Sequence, residues 1–142
     1  MEATLPKPIK KLYNNGQWTE ARFHSFIKSA LRAASSRWGP KWQVKKKARK
    51  ARGIYECAGY GRKSHNVPAS LPAPVGKKRR VDNAVVDHIH PVIDPDIGFT
   101  SWDSLVDRMF CEADGLQILC HECHSAKTKD ERSRNVARRQ RG

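Results

Sequence analysis

The chain has 142 residues, with 28 Lys plus Arg against 14 Asp plus Glu and a formal net charge of +14. That length suits one domain with extensions, and that charge excludes an ordinary acidic enzyme and points to a polyanion partner, nucleic acid first. Four cysteines are too few for a disulfide scaffold, no apolar run reaches the roughly 20 residues of a membrane span, and no apolar secretory stretch opens the chain. A reduced cytoplasmic protein with no membrane partner is the expectation.

Residues 1–17 are polar and contain Pro6, Pro8 and Asn14-Asn15-Gly16, so they read as an arm or loop. Thr19 is a plausible N-cap. Phe23, Phe26, Ile27, Ala30, Leu31, Ala34 and Trp38 then follow a period of about 3.6, which predicts an amphipathic helix over 20–38. Gly39 suits the position after that helix and Pro40 the start of the next, over 40–52. Lys45, Lys46, Lys47, Arg49, Lys50 and Arg52 cover most of that second helix. Such density repels itself without a polyanion, which favours contact with a DNA backbone over a solvated basic face.

Residues 62–80 hold Pro68, Pro72, Pro74 and Gly76 ahead of Lys77, Lys78, Arg79 and Arg80, a loop or hairpin with a basic tip. Val81 to Val86 reads as a strand running into Asp87-His88-Ile89-His90-Pro91. Thr100 and Asp103 resemble a capping box ahead of a short helix at 101–110, and Leu116 to Leu119 reads as a second strand. From Cys120 onward the chain is helix-compatible and ends in a basic tail.

Charge is uneven: net +11 over residues 1–56, +5 over 57–86, −7 over 87–124 and +5 over 125–142. Asp103 and Asp107 fit a surface helix. The other acidic residues raise a second possibility, carboxylates holding a cation beside a bound phosphate backbone.

Cys120-His-Glu-Cys123 is half of a tetrahedral zinc site, because two thiolates at this spacing reach one ion. The second half must come from upstream. Cys57-Ala-Gly-Tyr60 lacks a second cysteine, and His65, eight residues after Cys57, can supply the missing ligand. Cys57, His65, Cys120 and Cys123 would then form a Cys3His structural site, with Cys111 and His121 as rival fourth ligands. Cys111, after Met109 and Phe110, reads better as a small buried apolar residue. A zinc staple suits a chain with so small a core.

A second constellation is Asp87, His88 and His124. An aspartate oxygen and an imidazole nitrogen can share a divalent cation with a phosphate oxygen. His88 follows Asp87 and points to the opposite side of a strand, where it can act as a base near neutral pH.

Together, VDHIHPVIDP and LQILCHECHSAKT resemble the D-H-x-x-P strand and the L-C-x-x-C-H-x-x-K-T segment of the HNH endonuclease family. The resemblance covers about residues 55–130 and is strongest to small free-standing bacteriophage proteins, many of them homing endonucleases. It implies an α+β fold with a ββα-metal (His-Me finger) core stapled by a structural zinc. It divides the chain into a basic N-terminal helical extension (1–52), a nuclease domain (53–131) and a basic C-terminal tail (132–142).

It further implies that Asp87 and His124 hold a catalytic Mg2+ or Mn2+ and that His88 activates water. The activity implied is that of a phosphodiester hydrolase acting on double-stranded DNA as a monomer or homodimer. If the protein is phage-encoded, it would work in the host cytoplasm. Lys45, Lys46, Lys47, Arg49, Lys50, Arg52, Lys77, Lys78, Arg79, Arg80 and Lys127 are the expected DNA contacts. The sequence departs from the family at Gly115, where an asparagine normally precedes the second strand. A non-catalytic zinc-containing DNA-binding module and a structural nucleoprotein are the competing classes.

Overall fold

The computed structural model describes residues 8–142. It is a mixed α+β chain that divides into two compact units, Met1–Ser36 and Arg37–Gly142.

In the first unit, strands β1 (Lys11–Tyr13) and β2 (Trp18–Thr19) pair antiparallel and lead into helix α1 (Glu20–Ser35). The stretch expected as a loop is therefore a hairpin from residue 11 onward, while 1–7 lie outside the described residues. Asn14, Asn15 and Gly16 turn it with φ of 54°, 54° and 76°, a region in which asparagine and glycine cost least. Thr19 caps α1 by accepting a hydrogen bond from the Arg22 amide at 3.2 Å. Tyr13 stacks on Phe23 with ring centroids 4.3 Å apart.

The second unit opens with α2 (Gly39–Ala48). Both expected helices are shorter in the structure. Trp38 leaves the α1 stripe because its indole N–H donates to the Cys111 carbonyl at 2.6 Å and its ring meets Phe110 edge-on. Residues 49–52 leave the second helix because β3 (Arg49–Ala51) turns at Gly53, φ +74°, to pair with β4 (Ile54–Cys57). Strand β5 (His65–Pro68) completes a three-stranded sheet, and its register sets Cys57 opposite His65.

The expected strand over 81–86 is two strands. β6 (Ser70–Leu71) pairs with β7 (Val81–Asp82) at the base of the basic loop, and β8 (Val85–His88) pairs elsewhere. Buried Asn83 makes the break, with its amide nitrogen on the Pro68 carbonyl and its oxygen on the His121 amide, each at 2.9 Å.

Helix α3 (Trp102–Met109) follows a long connection, capped by Ser101 rather than Thr100. A short 3-10 turn (Ala113–Gly115) leads into β9 (Leu116–Leu119), antiparallel to β8. Helix α4 (His121–Arg141) starts at once, with Cys120 as its N-cap.

The expected tail at 132–142 is the second half of α4. It is tied down by an Arg134–Asp96 ion pair and by Arg138 Nε donating to the Pro95 carbonyl at 3.2 Å. Nor does a boundary fall at residue 52, because α2 and β3 belong to the second unit. Cys57, Val67, Leu119, Cys120 and Cys123 form one buried cluster with Tyr60 packed against it, while Leu105, Met109, Leu116 and Ile118 are buried as well. No helix of the described residues is long and apolar enough to cross a membrane.

Candidate metal centres

Cys57, His65, Cys120 and Cys123 each offer a ligand atom, and these atoms all lie within 4.8 Å of one another. Two local devices make the cluster. The β4–β5 register faces Cys57 with His65, and the first turn of α4 stacks Cys120 and Cys123.

Between the two strands, Gly59 at φ +84° turns the chain so tightly that a Cβ there would stand 2.2 Å from the Arg62 carbonyl oxygen. Its amide approaches the Cys57 sulfur at 3.3 Å, and the Cys120 amide approaches the same sulfur at 3.1 Å. Backbone donors aimed at sulfur stabilise thiolates.

His65 Nδ1 lies 3.0 Å from the Lys63 carbonyl, which can only accept. The proton therefore sits on Nδ1, and Nε2, 3.7 Å from the Cys120 sulfur, carries the lone pair. Burial pushes the Cys120 thiol up, but the Cys123 amide, the His65 ring beside it and the thiols of Cys123 and Cys57 outweigh burial and bring it down to about 6. Burial dominates at Cys57 and raises its thiol to about 11. Three sulfurs and one imidazole at tetrahedral spacing fit a structural ion such as zinc.

The rival ligands lie outside this cluster. His121 is exposed at the start of α4. Cys111 is half-buried, 3.0 Å from where a Gly115 Cβ would stand, so the small residue there makes room for its sulfur.

The second constellation gathers around the end of β8. Asp87 Oδ1 lies 3.8 Å from His124 Nε2. Asp87 Oδ2 is held from the other side by Lys127 Nζ at 2.5 Å and by Gln117 Nε2 at 2.9 Å. Gln117 stands opposite Asp87 in the β8–β9 register, and His124 and Lys127 share one face of α4. Oδ1 is thus left to face His124. Two ligand atoms 3.8 Å apart can both reach one Mg2+ or Mn2+ at about 2.1 Å.

His88 turns the other way. Its Nε2 lies 2.8 Å from the Met109 carbonyl, so Nε2 carries the proton and Nδ1 is the basic nitrogen. The Gly115 carbonyl accepts from the Ile89 amide at 3.0 Å, joining the two ends of the long loop.

Two expectations need correction. Lys127, expected to contact DNA, is only 7 % exposed and its ammonium is spent on Asp87 and on the carbonyls of His88 and Ile89. The other expected contacts lie on α2, on the β3–β4 hairpin and on the loop between β6 and β7, but not all of them project freely. Lys50 pairs with Glu56 at 2.8 Å, Lys45 and Lys46 lie over the rings of Tyr55 and Trp42, and Arg80 donates to Ser70.

Sequence reasoning missed Arg62, Asn83 and Gln117. Arg62 donates Nε to the Cys123 sulfur at 3.3 Å and reaches the Cys120 sulfur and His65 Nε2. Arg62 and Asn83 stand in no motif and Gln117 only precedes one, and each acquires its partners only when distant segments meet. Comparison with protein families, with curated proteins and with solved structures returned no match.

Proposed function

We propose that this chain is a metal-dependent endonuclease of the HNH type that hydrolyses phosphodiester bonds in double-stranded DNA. On this reading β8, β9 and α4 form the ββα-metal core and the Cys3His cluster is its zinc staple. The observation that carries the reading is the meeting of Asp87 Oδ1 and His124 Nε2 at 3.8 Å, with an imidazole at position 88 directed away from them.

Asp87 and His124 would hold the divalent cation, which when bound neutralises charge gathering on the phosphate and on the leaving oxygen. His88 takes a proton from the attacking water at Nδ1, and the Met109 carbonyl holds the ring in that tautomer. Cleavage leaves a 5′-phosphate and a 3′-hydroxyl. The exposed basic side chains at 45–52 and 77–80 supply affinity for the DNA backbone.

The test is conversion of supercoiled plasmid to nicked or linear DNA with Mg2+, with Mn2+ and with EDTA. Divalent-dependent cleavage that disappears in Asp87→Ala, His88→Ala and His124→Ala is expected. Cleavage at the parental rate in all three variants overturns the reading.

A second reading, a zinc-stapled DNA-binding module without catalysis, draws on Gly115 and on the Lys127 ammonium already seated against Asp87. It predicts DNA binding with no nicking under any divalent cation.

A further inference from the structure

Lys127 stands apart from the other basic residues of this chain. Its side chain is 8 % exposed, whereas most lysines and arginines of the chain lie open to solvent. An ammonium is withdrawn from water only where acceptors replace its hydration. Here they do so: Asp87 Oδ2 and the His88 carbonyl at 2.5 Å, the Ile89 carbonyl at 3.3 Å and Glu131 Oε1 at 3.8 Å. A group so fully engaged offers nothing to a phosphate.

Its partners are also not arbitrary. They are the carboxylate proposed to bind the cation and the backbone of the proposed base, all drawn to one point on α4. Gln117 donates to the same carboxylate oxygen from β9.

We infer that Lys127 is the positioning residue of the cation site. Together with Gln117 it occupies Asp87 Oδ2, so that Asp87 meets the ion through Oδ1 alone, and it fixes the end of β8 that carries His88. The inference rests on the nuclease reading above and adds to it how the site is aimed. Two opposed effects decide its sign. The ammonium repels a nearby cation, so its removal would tighten metal binding by simple electrostatics. It also prevents the carboxylate from swinging or chelating through both oxygens, so its removal would loosen binding if orientation dominates. With Asp87 Oδ2 doubly held and Oδ1 directed to His124, orientation is the larger effect.

The experiment compares the zinc-loaded parent, Lys127→Met, Lys127→Ala and Gln117→Leu. It measures Mn2+ affinity by electron paramagnetic resonance titration, DNA affinity at two salt concentrations, and plasmid nicking. Zinc content and thermal melting accompany each variant. Supporting the inference, Lys127→Met binds Mn2+ and turns over about 10–100-fold less well, its DNA affinity and salt slope match the parent, and propylammonium restores part of the rate to Lys127→Ala. Gln117→Leu, which leaves the carbonyl contacts of Lys127 intact, shows the same loss to a smaller degree and decides the question should Lys127→Met fail to fold.

Mn2+ binding that is unchanged or tighter in folded Lys127→Met overturns the inference, as does a loss confined to DNA affinity. A parent that neither binds Mn2+ nor nicks DNA fails at the earlier step and removes the nuclease reading instead.

Discussion

At the scale of single residues, strand alternation sends the neighbours at 87 and 88 to different partners. Asp87 faces α4 and His88 faces the Met109 carbonyl. On the proposed nuclease reading, replacing His88 by alanine should lower DNA cleavage by about 10^2 to 10^4-fold, because proton transfer alone would be lost. Binding of the same DNA, measured by fluorescence anisotropy with Ca2+ in place of Mg2+, should stay within about twofold. Gly59 offers a different kind of test. Alanine there meets backbone oxygen at 2.2 Å at φ +84°, so Gly59→Ala should cost about 1–3 kcal/mol and weaken zinc retention, read by melting and by a chromophoric chelator.

Local spacing made half of each centre legible in the sequence. Cys120 and Cys123 announce themselves by being three apart, and Asp87-His88 by ending an apolar run. His65 was reachable only through the cysteine missing at position 60. The motif L-C-x-x-C-H-x-x-K-T singles out Lys127 from Lys129, but its burial was not reachable, since the residue types in HSAKTKDERSR do not say that this lysine turns inward to Asp87 instead of outward to a phosphate.

Among elements, the cluster joins the β4–β5 hairpin to the start of α4. Its ligands are also a large part of the buried apolar cluster, so losing the ion and losing the core amount to the same event. Cys120→Ser, or exhaustive chelation of the parent, should abolish the cooperative melting transition, and restoring zinc should rescue only the parent. Zinc affinity should also fall as pH falls, because the ligand thiols must give up their protons on binding. Cys57, raised to about 11, has the furthest to come, and competition with a colorimetric chelator between about pH 6 and 8 reads the slope.

Element ends were the least legible part of the fold. The turn at Gly53 that takes 49–51 out of a helix acts through a partner strand, and Asn83 splits an apolar run through a helix amide nearly forty residues away. Propensity carries no trace of either partner. The far end of α4 shows the same thing in reverse, since basic residues read as a loose tail are anchored at Asp96 and Pro95. Deleting 132–142 should therefore lower the melting temperature by several degrees, beyond any loss of DNA affinity.

For the molecule as a whole, the net charge of +14 is the dominant quantity. Backbone contact through six or more basic side chains predicts that DNA affinity falls by about three decades or more between 50 and 200 mM salt. Charge reversal at Lys46 and Lys47 should flatten that slope and, on the proposed nuclease reading, leave cleavage site preference unchanged, because phosphate contacts carry little sequence information. A slope near zero in the parent would remove nucleic acid as the partner. This property was the most legible of all, because net charge needs no knowledge of where any chain segment lies.

Cys123 and His124 are consecutive on a helix that advances about 100° per residue. One therefore points into the sulfur cluster while the next points at Asp87, and Lys127, a turn later, falls between these two directions and reaches Asp87 with its long side chain. Spacing, more than side-chain identity, is what this segment cannot give up. Substitutions at Ser125 leave the angular phase untouched, whereas a single inserted or deleted residue between 123 and 127 rotates everything downstream by more than a quarter of a circle and disarms the site without removing any of its groups.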